Sequence, residues 1–359
     1  MVSIDALCAG LRARGHDPFC IAPAMPHYRD DDDGAVVRVP SLPLPTATGY
    51  RLMLPHVSRR MRERAAQMSI VHAHSPFVAG SLAISMARRA RVPLVFTYHT
   101  RLEHYAHYVP IDERLTRDII RRVTLRFAEA AHAVITPTAA IAEHLRSIGV
   151  RRPIAVIPSG IDVARFAAGR RNQALRKRFG VAEGASMVLW VGRLAQEKNV
   201  DLALETAAAL GTDGTRTIFV GDGPQRELYE ARARALGAGG AVVFAGELSQ
   251  EALPDAYASA DALLFTSVTE TQGLVLAEAL ATGLGIVAVD APTTREVVGR
   301  QAQLTPPSPA ELASAVRALL ASQSNDSDLR ARRQGDAARF DRDLSASKVL
   351  RLYETVLAG

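Results

Sequence analysis

Two separate series of short apolar runs, each run followed by an amphipathic stretch, constrain this chain more than any other feature. An apolar run without polar alternation suits a strand buried on both faces, and an amphipathic stretch suits a helix that covers it. The first series places strands at Phe19–Ala22, Val36–Val39, Ile70–His72, Leu94–Tyr98, Ala133–Thr136 and Ile154–Ile157, with helices such as Ala79–Ala90 and Thr116–Ala131 between them. The second places strands at Met187–Val191, Thr217–Val220, Val242–Ala245, Ala262–Phe265 and Ile286–Val289. Helices fit between these at Asn199–Leu210, Gln225–Leu236, Glu251–Ser259 and Leu274–Thr282. Strand–helix units repeated twice predict an α/β chain of two Rossmann-like domains. The expected division is 1–162 for the first domain, 163–342 for the second, and a last helix over 343–359 that returns to the first.

The start of the chain departs from that pattern. A Rossmann-like domain opens with a strand, a glycine-bearing turn and then a helix. Here the chain opens inside a helix, Ile4–Arg14, with Gly15 as its C-cap. The expectation is that the first strand and glycine loop of the N-terminal domain are missing, which raises the reading of a truncated or impaired protein.

Composition removes several classes. Hydrophobic residues make up 48% and charged residues 22% of 359 residues, the balance of an ordinary globular protein. No apolar run reaches the length of a membrane span, and the first residues lack the basic-then-apolar pattern of a secretory leader. Two cysteines, Cys8 and Cys20, indicate neither a disulfide framework nor a zinc site and fit a reducing compartment. Residues 1–166 carry a net charge of +8 and all ten histidines, whereas residues 167–359 carry −2. Only the first half is therefore suited to an anionic surface, unless the arginines reflect base composition of the gene. No nucleic-acid motif accompanies the positive charge, so no nucleic-acid partner is expected. The run Asp30–Asp33 reads as a solvated loop and not as a metal site.

The densest set of chemistry-bearing residues lies between Met187 and Ala281. Trp190–Val200 reads WVGRLAQEKNV, a strand, a turn at Gly192 and a helix start, with Arg193 and Lys198 flanking the turn. Two cations beside a helix N-terminus suit a diphosphate; the alternative is two solvated loop cations. Glycine turns also close the next two strands, at Gly221 and Gly223 in VGDGP and at Gly246 before Leu248 in FAGEL. In parallel sheets such turns lie where ligands bind. The segment SVTETQGLVLAEALA places Glu270 on a loop, Gln272 and Gly273 at a helix start, and Glu278 inside the helix among Leu274, Leu276, Ala277 and Leu280. Glu270 is suited to accept from sugar hydroxyls. A carboxylate facing an apolar core needs donors, which ribose hydroxyls would supply. The alternative is an acid pair favoured by the helix dipole.

Glu270 and Glu278, with seven residues between them, match the E-x7-E motif of glycosyltransferase family 4, and GRLAQEKN, GDGP, FAG and ALATG extend the match. In the first half VHAHSP (71–76), TYHT (97–100) and IPSGID (157–162) continue it. The chain thus resembles that family over essentially its whole length. The resemblance implies a GT-B fold, with two Rossmann-like domains facing a central cleft, and a retaining transfer that needs neither metal nor cofactor. By it, Arg193 and Lys198 hold the donor diphosphate. Glu270, with the backbone of Gln272, Gly273 and Leu274, holds the sugar, and Glu278 holds the ribose. Gly192, Gly221, Gly223, Gly246 and Leu248 complete the donor contacts. His99 is implied to reach the donor sugar near the reacting carbon, with Tyr98 and His74 at the acceptor side of the cleft. The implied catalytic set is His99, Glu270, Arg193 and Lys198, with Glu270 a sugar ligand and not a nucleophile.

Within the family, Thr269-Glu270-Thr271-Gln272-Gly273, TYHT, Tyr105 and the His107-Tyr108 pair resemble the branch that glucosylates diacylglycerol, and phosphatidylinositol mannosyltransferases share the frame. UDP-glucose is the favoured donor, with GDP-mannose the alternative. Tyr50–Arg64 mixes five arginines with Leu52, Met53, Leu54, Val57 and Met61, a basic amphipathic segment able to lie on an anionic membrane, or else an ordinary surface helix. The expected location is cytoplasmic and peripheral at the inner face of the membrane. The competing expectations are a soluble or cell-wall sugar acceptor and a protein that binds donor without efficient turnover.

Overall fold

The computed structural model describes residues 2–25, 35–43, 51–54, 58–104, 112–322 and 327–359. Asp30–Asp33, Tyr105, His107 and Tyr108, singled out above, lie outside the described residues. The chain divides into two compact units, Met1–Gly160 with Arg342–Gly359, and Ile161–Asp341.

The strands of the first unit are β1 (Cys20–Pro23), β2 (Val36–Val39), β3 (Ser41–Pro43), β4 (Arg51–Met53), β5 (Val71–Ala73), β6 (Leu94–Thr97), β7 (Ala133–Thr136) and β8 (Ile154–Val156). Those of the second are β9 (Met187–Val191), β10 (Arg216–Val220), β11 (Val242–Gly246), β12 (Ala262–Phe265), β13 (Ile286–Val289) and β14 (Ala302–Thr305). Every strand expected from the sequence falls within a residue or so of an observed one. The short hairpin β3–β4 and the edge strand β14 were not expected; three residues, or the half-polar Ala302-Gln303-Leu304-Thr305, give too little pattern to read.

In the first unit, β5-β6-β7-β8 form a parallel sheet in simple succession, and β1 pairs with β2 in a separate two-stranded parallel sheet. The strands expected for this domain thus fall in two sheets, and the β3–β4 pair makes a third, among the described residues. The crossovers Val78–Ala90, Glu113–Ala130 and Ala139–Ser147 join successive strands of the four-stranded sheet, and right-handed connection places all three on one face. That face is filled by Phe96, Phe127, Val134, Ile141 and Leu145. The other face is covered by Val2–Arg12 and Arg342–Ala358, through Leu11, Val95, Ile135, Val349 and Tyr353.

The segment Tyr50–Arg64 is not one amphipathic helix. Its first described part is β4, and a short helix, Arg59–Ala65, follows the N-cap Ser58; Tyr50 and residues 55–57 are outside the described set. Met53 and Met61 are buried in the core, while Arg59, Arg60, Arg62 and Glu63 are exposed, with Arg59 paired to Glu63 at 2.7 Å.

In the second unit the sheet order is β11-β10-β9-β12-β13-β14, all parallel. Strands run one way from β9 and the other way from β12, so the switch point lies between them. Most of these strands are buried on both faces, which explains their uninterrupted apolar sequence. Beneath the switch point the glycine turns pack backbone to backbone. Gly192 N–H donates to Val220 O at 3.0 Å, Leu194 N–H to Asp222 O at 3.0 Å, and Gly221 N–H to Gly246 O at 2.8 Å. Gly221 has φ +131°, and a Cβ there would lie 2.0 Å from Gly192 O.

Gly221→Ala must therefore move two loops at once. We expect it to cost about 1–3 kcal/mol of stability in urea unfolding, the range for forcing extra volume into a packed site. Alanine at Gly239, around which a Cβ meets nothing within 4 Å, is the control expected to change little. Equal effects at the two positions would refute the packing argument.

Candidate active site

Arg193 and Lys198 follow β9, and Glu270 and Gln272 follow β12, so the reversal of strand order brings together loops 72 positions apart. The two strands pair only at Ala262 with Val188 and Leu263 with Leu189, and separate beyond. Side chains stitch the loops that emerge. Trp190 Nε1 donates to Thr266 Oγ1 at 3.2 Å, and Thr266 Oγ1 donates to Lys198 O at 3.1 Å. Thr269 Oγ1 donates to Glu197 O at 2.9 Å. Lys198 Nζ then donates to Glu270 Oε1, the ion pair that closes this frame. Asn199 adopts φ +54°, so the chain turns sharply from the loop into the helix Val200–Gly211.

Gly273, at φ +75°, is the N-cap of the helix Leu274–Thr282 and offers no capping side chain. The N-terminal amides and the positive end of the helix dipole are therefore available to an anion or a hydroxyl oxygen. Gln272 is buried, at 3% exposure. Glu278 faces inward in this helix at 8% exposure. Its Oε2 accepts from Tyr257 OH at 2.6 Å, a partner from the helix Leu253–Ser259 that the sequence did not reveal. Burial pushes the Glu278 carboxyl up, and the Tyr257 bond opposes that shift. The turns at Gly221, Gly223 and Gly246 lie at the same edge, at the ends of β10 and β11, with Leu248 two residues beyond β11. Arg226 reaches this turn and donates through Nη2 to Phe244 O at 3.3 Å.

The first unit carries a separate cluster. Alternation along β5 and β6 puts His72, His74, Thr97 and His99 on one side of the sheet, the side covered by Arg342–Ala358. His72 contacts Tyr353 OH through Nδ1 and Thr97 Oγ1 through Nε2, both at 2.6 Å. His74 Nδ1 and His99 Nε2 lie 2.7 Å apart, so one ring donates and the other accepts. Burial lowers His72 to about 3 and His99 to about 4, and pushes His74 well below its ordinary value. All three imidazoles are held neutral, and both ring nitrogens of His72 are already engaged.

Tyr98 corrects the expected acceptor set. The same alternation turns it to the opposite face, where it is 2% exposed and packs with Phe96. Its hydroxyl donates to Glu103 Oε2 at 2.9 Å. Burial pushes the Glu103 carboxyl up, but His144 and Tyr98 outweigh it and hold Glu103 at about 2. Among the described residues no group of three or more His, Cys, Asp or Glu is placed to hold a metal ion.

Comparison with known proteins now adds to this geometry. Residues 2–165 match the family model described as Glycosyltransferase Family 4, and residues 171–339 match Glycosyl transferases group 1. The chain is 29% identical over 303 residues to the alpha-monoglucosyldiacylglycerol synthase of Acholeplasma laidlawii, covering 80% of this chain and 75% of that protein. It is 34% identical over 303 residues to a GDP-mannose-dependent alpha-mannosyltransferase of Mycobacterium tuberculosis, covering 82% and 76%. Sucrose-phosphate synthase from Thermosynechococcus elongatus has a similar fold, with a TM-score of 0.79 at 20% identity, covering 99% of this chain and 92% of that one.

Two measurements check the electrostatics. Tyr257→Phe leaves a buried carboxylate without its donor and is expected to cost about 1–3 kcal/mol in urea unfolding; an unchanged midpoint would show that the bond carries nothing. The histidines have proton affinities lowered by folding, so the unfolded chain binds more protons in mild acid. The stability they give is complete above the unfolded pKa of about 6.5 and is lost as pH falls towards about 4. Unfolding at about pH 5 should show a loss of about 1–2 kcal/mol per imidazole against about pH 7.5. The slope should be shallower in His99→Asn, and a flat profile in the parent would contradict the neutral cluster.

Proposed function

The chain belongs to glycosyltransferase family 4, a hexosyltransferase with the GT-B fold, and we propose that it moves a hexose from a nucleotide-sugar, UDP-glucose first, to a hydroxyl of a membrane lipid such as diacylglycerol. The observation that carries the donor half is the Lys198–Glu270 ion pair at the strand switch point, beside the open helix terminus at Gly273. A diphosphate brought to Arg193 and Lys198 meets two cations and the helix dipole together. The same contact orients the Glu270 carboxylate toward sugar hydroxyls.

The roles follow from the chemistry of each group. Arg193 and Lys198 stabilise the charge that develops on the leaving diphosphate, which is the largest electrostatic demand of the reaction. Glu278, fixed by Tyr257, accepts from ribose hydroxyls and is relieved of part of its burial cost by them. Neutral His99, bonded to His74, keeps charge out of the histidine cluster of the first unit. The acceptor hydroxyl attacks from the face the diphosphate leaves, so the anomeric configuration is kept by positioning. Charge stabilisation by the two cations, without a metal or cofactor, completes this reading.

A lipid acceptor is supported by the relative named for diacylglycerol glucosylation and by the charge of the first unit. Arg59, Arg60 and Arg62 are exposed on one short helix, where Glu63 pairs with Arg59 and leaves a net positive charge. The helix Glu113–Ala130 adds exposed Leu115 and Ile119 among Arg114, Arg117, Arg121 and Arg122, a combination suited to an anionic bilayer surface. No described helix is long and apolar enough to cross a membrane. The mannosyltransferase relative keeps GDP-mannose as the second donor to test.

Labelled UDP-glucose and GDP-mannose, each supplied with diacylglycerol vesicles or with soluble sugars, decide the substrate pair; transfer confined to soluble sugars would overturn the lipid reading. Lys198→Ala and Glu270→Ala are each expected to lower kcat/KM by about 100-fold to 1,000-fold. Glu278→Gln should weaken UDP binding and abolish its loss as pH falls through the raised pKa of Glu278, because ribose favours the ionised carboxylate. Undiminished turnover in Lys198→Ala would remove its assignment to the diphosphate.

A further inference from the structure

The two cysteines of this chain meet. Cys8, on the helix Val2–Arg12, and Cys20, the first residue of β1, bring their sulfurs to 3.4 Å, although they are 12 positions apart on different elements. The pair is asymmetric. Cys8 is buried at 8% exposure, whereas Cys20 is half-buried. Both belong to the first unit and take no part in the donor site or in the histidine cluster.

From this geometry we infer that Cys8 and Cys20 form a reactive dithiol site whose ligand is a small disulfide such as oxidised glutathione, and which closes to an intramolecular disulfide. A sulfur–sulfur contact of this kind needs a modest approach to reach the covalent length of about 2.05 Å. The surrounding charges assign the roles. With Cys8 protonated and donating across this contact, Cys20 is held down at about 7 against its own burial; Asp5 opposes this, and Arg12 and Arg38 reinforce it. The same bond and burial push Cys8 up and keep it protonated. Cys20 is thus the nucleophile, since the thiolate is the attacking form and the more exposed sulfur is the one a reagent reaches.

The exchange balances in two steps. The Cys20 thiolate attacks one sulfur of the small disulfide, forming a mixed disulfide and releasing one thiolate. Cys8 then attacks the Cys20 sulfur and expels the second small thiol, which carries away the Cys8 proton. Both cysteines are oxidised, and one small disulfide is reduced to two thiols. The site differs from a metal site in that no third His, Cys, Asp or Glu ligand is placed with the two sulfurs among the described residues.

The product clips the helix Val2–Arg12 to β1. That helix already leans on Arg342–Ala358, where Arg14 donates to Asp343 O at 2.9 Å and to Ser347 Oγ at 2.8 Å. The helix so braced carries Tyr353, the partner of His72.

The test is incubation of the full chain with oxidised glutathione, followed by thiol titration, intact mass and peptide mapping. We expect both thiols to vanish, no glutathione to be retained, and one peptide to link Cys8 to Cys20. Cys8→Ser should stop at one retained glutathione, and Cys20→Ser should react at least 10-fold more slowly. Retained glutathione on the parent, unreacted thiols, or equal rates in the two variants would each overturn the inference. The linked peptide in the parent decides the question even if a variant folds poorly.

Discussion

The reversal of strand order between β9 and β12 is the constraint on which the donor half depends. Parallel strands that run outward from a common centre leave a crevice at their C-terminal ends, because the loops there turn in opposite directions. The groups proposed to hold the donor emerge at that edge: the cations after β9, the paired carboxylate after β12, and the glycine turns after β10 and β11. The early end of pairing, at Leu189 and Leu263, lets the two loops separate, and Trp190, Thr266 and Thr269 then rejoin them by hydrogen bonds. The glycines serve this arrangement through close backbone approach. Gly221 lies against Gly192, where a side chain would displace a loop that carries a cation.

A second constraint acts in the first unit, where the two-residue period of a strand sorts neighbouring aromatic residues by function. Tyr98 and His99 are adjacent, yet the first enters the core and the second joins the polar side. Burial there does chemical work: His72 at about 3 and His99 at about 4 cannot become cations near neutral pH. A neutral imidazole pair can both donate and accept a hydrogen bond without bringing charge. Glu278 and Tyr257 repeat the principle, since a carboxylate is kept in an apolar helix by one strong donor and by whatever hydroxyls are brought to it.

Most of the strands were legible because their runs are apolar throughout, which only burial on both faces explains. Arg193, Lys198 and Glu270 stand out in the sequence as charged residues near glycine turns, and Glu278 as a carboxylate among apolar helix neighbours. The reading went astray where a single residue has no period to follow. Tyr98 was placed at the acceptor side by resemblance, whereas strand alternation turns it into the core, and Tyr50–Arg64 was read as one amphipathic segment although a strand and a cap at Ser58 divide it. The exposed Leu115 and Ile119 were hidden, since a helix sequence does not say which of its apolar residues the core takes.

The sequence by itself determined the α/β class, the two series of strands and the chemical character of the donor residues, because local composition and spacing dictate burial and turn geometry. Only the tertiary structure decided which of these meet. Lys198 and Glu270 are paired by strand order, Glu278 by a tyrosine from another helix, and Cys8 with Cys20 by the packing of a helix on a strand. Contacts of this kind depend on topology and side-chain direction, which no window of neighbouring residues contains.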